Sequence, residues 1–211
     1  MKKRKIIDIQ IQKRRKNRRS IFLDDGSVFG ISEDVFFSIP IHIGDIISDQ
    51  VIDDILKADS NVKIYDAAIN LLSYRMRSKS ELRNRLIRKN FNEKDVTDII
   101  KNLELKGYLD DEKFACAFAK EKVKNKLIGP IALRFEMSSH KLDVELIDKT
   151  INSIYDMFPS KNIIDRLLTK WDVKDNMEKD LKIKNKIVNR LKNKGFYWDD
   201  IQSVINTLNN N

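Results

Sequence analysis

Between residues 6 and 12 apolar and polar side chains alternate: Ile7, Ile9 and Ile11 fall on one side of an extended chain, and Asp8, Gln10 and Gln12 on the other. A period of two predicts a half-buried β-strand. The stretch KRRKNRR follows and ends at Arg19, and SIFLDDGSVFGI then sets two apolar runs around Asp24-Asp25-Gly26. Asp-Gly suits left-handed turn positions, so these runs read as a hairpin. With Pro40, Gly44 and several further isoleucines, residues 1–47 predict a small β-rich unit carrying a short helix at 33–37. From Ser48 to Ala58, Val51, Ile52, Ile55 and Leu56 share a face and predict a helix, which extends this N-terminal part to about residue 60.

From residue 61 onward the period is helical, and the pattern repeats. Counted from Leu82, apolar residues fall at Leu86, Phe91, Val96, Ile99, Ile100 and Leu103. From Leu133 the same offsets give Met137, Leu142, Ile147, Thr150, Ile151 and Ile154; from Ile187 they give Leu191, Phe196, Ile201, Val204, Ile205 and Leu208. Only Thr150 breaks the apolar set. A repeat of this length marks tandem supersecondary units. Each holds two helices joined at a corner residue (Asn90, Lys141 and Gly195), of which Asn and Gly suit a left-handed helix end. A further helix precedes each pair, at about 63–76, 111–125 and 160–170. The expected fold is mainly α: three tandem three-helix, helix-turn-helix-like modules (61–109, 110–158 and 159–211) behind a small β-rich unit (1–60). The charged stretch DVKDNMEKDLKIKNK is expected to lengthen the first or second helix of the last module.

Two motifs punctuate the array. Ser78-Lys79-Ser80-Glu81 is a capping box, in which the serine hydroxyl accepts from the Glu81 amide and the glutamate reaches back. In GYLDDEKFA, Gly107 ends one helix, Leu109 and Phe114 staple across the boundary, and Asp110 or Asp111 caps the next helix. An adjacent carboxylate pair also raises a metal or proton-sharing role, but no further ligand converges on it.

Composition narrows the chemistry. With 41 Lys plus Arg against 32 Asp plus Glu, the formal charge is +9, which favours polyanionic or acidic partners. One cysteine, Cys116, excludes an intrachain disulfide and fits a reducing compartment; it reads as a packed small residue. His42 and His140 are the only histidines, too few with one cysteine for a soft-ligand zinc cluster. His140 lies near a helix end and has no catalytic task. Trp171, Trp198 and Tyr155 read as core or inter-module contacts. No secretory signal and no apolar run of membrane-spanning length occurs, so a cytoplasmic monomer without cofactor or metal is expected.

The run Leu72-Ser-Tyr74-Arg75-Met-Arg77-Ser78-Lys-Ser-Glu81-Leu82, then Leu86, Phe91, Leu103 and Gly107-Tyr-Leu-Asp110-Asp111-Glu-Lys-Phe114-Ala115, resembles the RecX family of recombination regulators. The resemblance is strongest over residues 64–119 and extends through Gly129-Pro130 to residue 208. Some members of the family carry an N-terminal extension, which residues 1–60 supply. It implies a curved array of three-helix modules that binds the RecA filament and inhibits its extension, ATP hydrolysis and strand exchange. Weak binding to single- and double-stranded DNA is implied too, in the setting of DNA repair and the SOS response. The second module departs from the family pattern, with Lys124-Asn-Lys126 before Gly-Pro, Glu136-Met137 within the helix, and Lys141-Leu142 in place of Lys-Gly-Ile.

The candidate contacts for RecA or DNA are cations. Arg75, Arg77, Lys79, Arg83, Arg85, Arg88 and Lys89 form the densest stretch; with Leu82 and Leu86 inward, Asn84 and Arg88 point outward and Arg83 and Arg85 flank them. Lys120, Lys122, Lys124 and Lys126 form a second run whose alternate spacing cannot occupy one helix face. Lys13, Arg14, Arg15, Lys16, Arg18 and Arg19 are read as a basic loop between two strands. Each run has a plain alternative as solvated surface. A stand-alone helix-turn-helix DNA-binding protein is the competing function, although helix 94–105 offers mainly Thr97, Asp98 and Lys101 for base reading. A hydrolase or nuclease lacks any nucleophile or metal constellation.

Overall fold

The computed structural model describes residues 3–173 and 181–209, and divides into two compact units: Met1–Arg75 with Leu82–Lys106, and Met76–Glu81 with Gly107–Asn211. Of the stretch DVKDNMEKDLKIKNK, which was expected to lengthen a helix, residues 174–180 lie outside the described residues, and residues 181–186 lie in the helix Leu181–Asn193.

The first unit opens with an antiparallel sheet of strands β1 (Lys3–Ile11), β2 (Arg18–Leu23), β3 (Val28–Ser32) and β4 (Ile46–Ser48), ordered β3-β2-β1-β4. The β2–β3 hairpin turns at Gly26, whose φ of 82° needs a residue without a Cβ penalty. A short helix, α1 (Glu33–Ser38), follows β3. The alternation seen in the sequence is shifted here. A bulge in β1 between Ile6 and Asp8 puts Ile6 and Ile9 toward the core, while Ile7 (53% exposed) faces solvent and Ile11 (55%) lies beyond the core at the strand end. One extra residue in one strand reverses the side-chain phase after it.

Helix α2 (Asp49–Tyr74) covers this sheet with Ile52 and Ile55, which pack with Ile6, Ile21, Leu23, Ile31, Val35, Ile41 and Ile47. Two helices, Ser48–Ala58 and 63–76, were expected; a single helix runs through. The polar run Asp59-Ser60-Asn61 reads as a break, yet no Gly or Pro interrupts it, and Asp59 lies one turn beyond Ile55 on the buried stripe. Helices α3 (Lys79–Ile87) and α4 (Glu93–Leu105) follow, burying Leu82, Leu86, Val96, Ile100 and Leu103. Asn92 caps α4 by accepting from the Lys94 and Asp95 amides at 2.9 and 3.3 Å.

The second unit holds α5 (Asp111–Lys126), α6 (Pro130–Ser138), α7 (Val144–Met157), α8 (Ser160–Trp171), α9 (Leu181–Asn193) and α10 (Trp198–Asn209). Among the described residues, nine helices, α2–α10, follow the sheet and α1 in chain order. One core joins α5 to α10 through Phe114, Leu133, Met137, Ile147, Ile164, Leu191, Phe196 and Ile201. Thr150, the polar member of the repeat, is 2% exposed, and its hydroxyl donates to the Leu146 carbonyl at 2.7 Å, so the core holds no orphan there. All three corners are left-handed: Asn90 (φ 64°), Lys141 (φ 52°) and Gly195 (φ 85°).

Candidate functional site

Asp59 shows how a polar residue ties α2 to the sheet. Its carboxylate is 2% exposed and accepts from Arg18 (2.9 and 3.3 Å), from the Ser32 amide (2.6 Å) and from Lys63 (2.8 Å). Burial pushes this carboxyl up, but the hydrogen bonds from Arg18, Lys63 and Ser32 overcome that and hold it at about 2. Arg18 also donates to the Gly30 carbonyl at 2.7 Å. Arg19 pairs with Glu33 at 2.8 Å and lies over the Phe36 ring at 4.5 Å. Arg18 and Arg19 therefore belong to strand β2 and not to the expected basic loop; their charges are engaged within the fold. Lys13, Arg14, Arg15 and Lys16 do occupy the β1–β2 loop and are exposed.

The stretch 75–89 divides in the same way. Arg77 is 7% exposed and donates to Glu81 at 2.5 Å, which removes it from the contact surface on which it was expected. Arg83 is half-buried and pairs with Glu93. Arg75, Arg85, Arg88 and Lys89 are exposed, and Asn84 with them, as the helical period predicts. On α5, Lys122 and Lys126 both reach Glu136 on α6, at 2.6 and 2.9 Å. Burial pushes the Glu136 carboxyl up, and the bonds from Lys122 and Lys126 bring it below its ordinary value; the same bond holds Lys126 above its own. Lys124 turns the other way, over the Phe158 ring at 5.4 Å, while Lys120 is exposed.

The caps do more than end helices. Asp110 accepts from the Lys113 amide at 2.9 Å, starting α5, and this bond keeps its carboxyl below the ordinary range. Asp111 accepts from the Lys79 amide at 2.8 Å and so holds the first turn of α3, a role the sequence does not reveal because 32 residues separate them. Ser78 accepts from the Glu81 amide and donates to the His140 carbonyl, each at 3.1 Å. The His140 ring meets Phe114 and Phe118 edge-on, at 5.1 and 4.7 Å between centroids.

Gly129 and Gly195 form a backbone joint. The Gly129 amide donates to the Lys194 carbonyl (2.8 Å), the Ile131 amide to the Gly195 carbonyl (3.0 Å), and Lys194 Nζ to the Lys126 carbonyl (2.9 Å). A Cβ on Gly129 would lie 2.3 Å from the Gly195 oxygen, and one on Gly195 2.3 Å from the Ala132 nitrogen. The Tyr155 hydroxyl donates to the neighbouring Ile128 carbonyl at 2.7 Å; burial and the nearby Tyr197 raise its pKa.

Three expectations need correction or refinement. Cys116 is exposed, because the buried stripe of α5 runs through Phe114, Ala115, Ala119 and Val123. Trp198 is 48% exposed, with Lys192 over its ring at 4.8 Å. Trp171 does pack against the core, covered by Arg190 at 3.8 Å. Among the described residues no group of three or more His, Cys, Asp or Glu side chains is placed to hold a metal ion, and no helix is long and apolar enough to cross a membrane.

These features define a mainly helical protein with an N-terminal β unit and a net positive charge. Residues 4–48 match the family described as regulatory protein RecX N-terminal domain, and residues 65–103 match RecX, first three-helix domain. A "Regulatory protein RecX" of Oceanobacillus iheyensis is 30% identical over 210 residues, covering 97% of this chain and 77% of that protein. One from Clostridium botulinum is 26% identical, covering 95% and 94%. A crystal structure of regulatory protein RecX superposes with a TM-score of 0.75 at 24% identity over 96% of this chain, and RecX from Lactobacillus salivarius with 0.66 at 24% over 73%. The chain belongs to the RecX family of regulatory proteins.

Proposed function

We propose that this protein regulates homologous recombination and DNA repair by binding the RecA nucleoprotein filament and inhibiting its extension, ATPase and strand exchange. The observation that carries this reading is the match along nearly the whole chain, sheet unit and helices together, to proteins named for regulation. Spaced cations on separate elements support it: Arg85, Arg88 and Lys89 on and just after α3, and Lys120 and Lys124 on α5. Several modest contacts borne on one chain add through high effective concentration. The three helical modules act as successive binding elements, and DNA itself is bound weakly, without metal or cofactor.

A stand-alone helix-turn-helix reading has less support. The exposed face of α4 carries Glu93, Lys94, Asp98, Lys101, Asn102 and Glu104, an acid-containing surface that repels phosphates where a recognition helix would approach them. The test is RecA-catalysed, DNA-dependent ATP hydrolysis with rising amounts of the protein, alongside co-sedimentation with filaments. The expected result is a falling rate and a protein that pellets with filaments. An unchanged rate with all of the protein left in the supernatant would sink the proposal, and tight, sequence-dependent duplex binding would favour the alternative.

A further inference from the structure

We propose that the β1–β2 loop, Lys13–Lys16, is a sequence-independent contact for the phosphate backbone of nucleic acid, separate from the helical cations. This deepens the weak DNA binding of the reading above by assigning it a surface, and rests on that part of it alone.

The loop is short and hydrogen-bonded. The Gln12 amide donates to the Arg18 carbonyl (2.9 Å), Arg15 to Gln12 (3.2 Å), and Arg18 to Arg15 (2.9 Å), so the chain reverses within a few residues and four consecutive cations project from one turn. All four are exposed, and among the described residues none makes an ion pair or a ring contact. The flanking arginines behave differently. Arg18 is held by Asp59 and Arg19 by Glu33, so the acids near the hairpin base are occupied by strand residues and leave the tip uncompensated. Asp8, on the preceding strand, accepts from the Ile9 amide and from Gln10. Four like charges at adjacent positions repel one another, and a polyanion relieves that repulsion while releasing its own counterions.

The partner's class follows from what the loop lacks. Residues 12–17 read QKRRKN, with no apolar or aromatic side chain. Protein interfaces are built around apolar and aromatic anchors and are depleted in lysine. Phosphate contacts need only cations and polar donors, and they carry no sequence information. A nucleic-acid backbone fits the loop better than a protein surface.

The test uses the full chain without RecA and reads fluorescence anisotropy of labelled random-sequence duplex and single-stranded DNA across a salt series. The variant replaces Lys13, Arg14, Arg15 and Lys16 together by Ala; a companion variant carries Arg85→Ala, Arg88→Ala and Lys89→Ala. Each phosphate neutralised on a duplex contributes about 0.9 to the slope of log affinity against log salt, so removing four cations should lower the slope by up to roughly 3.6 units. Its affinity at low salt should fall at least about 10-fold, with an unchanged melting temperature, while the companion retains most of the slope. A loop variant with the wild-type slope and affinity overturns the proposal, as does a wild-type protein that binds neither strand. So does a loop variant that binds DNA normally but no longer pellets with RecA, which would make the loop a protein contact. Failure of the filament reading looks different: ATP hydrolysis is untouched while loop-dependent DNA binding persists.

Discussion

Asp59 is a polar side chain that joins α2 to strands β2 and β3. It lies on the apolar stripe of α2 and is tolerated there because Arg18, Lys63 and the Ser32 amide supply donors for both oxygens. Its folded pKa, about 2, is depressed from 3.8, so its stabilisation is fully present above pH 3.8 and is lost as pH falls through 2. The shift corresponds to about 2 kcal/mol. Asp59→Ala leaves Arg18 half-buried and unpaired and is expected to cost about 3–5 kcal/mol in urea unfolding at neutral pH. The loss should shrink toward pH 2, where the wild type has surrendered the same contribution. Equal destabilisation at both pH values would show that packing and not charge is responsible. At the α6–α7 corner, Lys141 adopts φ 52°, a left-handed conformation that costs an L-residue about 1–2 kcal/mol. Lys141→Gly should therefore raise stability by roughly 0.5–1 kcal/mol, after subtracting the greater freedom of glycine in the unfolded chain. A shift in urea midpoint without a change in slope would be the sign of it.

Among the glycines, the two at the joint between the start of α6 and the α9–α10 turn meet backbone most closely. Gly129 and Gly195 approach so closely that a methyl group on either meets backbone at 2.3 Å, and backbone has no rotamer with which to escape. Gly129→Ala is expected to break the bonds from the Gly129 and Ile131 amides and destabilise the unit by about 2–4 kcal/mol. Hydrogen exchange should speed most at the amides of residues 129 and 131; protection there equal to that of the wild type would show that the joint accommodates the methyl. Helix α2 makes a related point. Its length was not legible from local polarity, because Asp59-Ser60-Asn61 resembles a break until a partner from β2 is supplied.

Over the whole chain, a net charge of +9 is distributed unequally between cations held inside the fold and cations left to solvent. Arg18, Arg19, Arg77, Arg83, Lys122 and Lys126 are tied to carboxylates. Reversing Arg85, Arg88 and Lys89 to Glu should lower apparent affinity for filaments at least about 10-fold, because a like-charge surface replaces an attractive one. The circular dichroism of the helices should be unchanged. Binding equal to that of the wild type with helicity retained would reassign this patch to plain solvated surface. Reversing Arg77 is expected instead to unsettle the start of α3, since its side chain is buried against Glu81.

The sequence alone determined where the helices after α2 lie, that Leu82, Leu86, Leu133, Met137, Ile187 and Leu191 face inward, and where each corner falls. These features depend on residues three or four apart and on the turn chemistry of Asn90, Gly107 and Gly195, and such short-range terms act before any tertiary contact exists. The two carboxylates of GYLDDEKFA also resolve locally as helix punctuation, at least for Asp110. What the tertiary structure decided is who pairs with whom across distance. Arg18 and Asp59 are 41 residues apart, Asp111 and Lys79 are 32 apart, and Lys194 and Lys126 are 68 apart. The β1 bulge, the left-handed lysine and the division of cations into engaged and exposed belong to the same class. Each is a local choice that is neutral or unfavourable on its own and is held in place only by the packing around it.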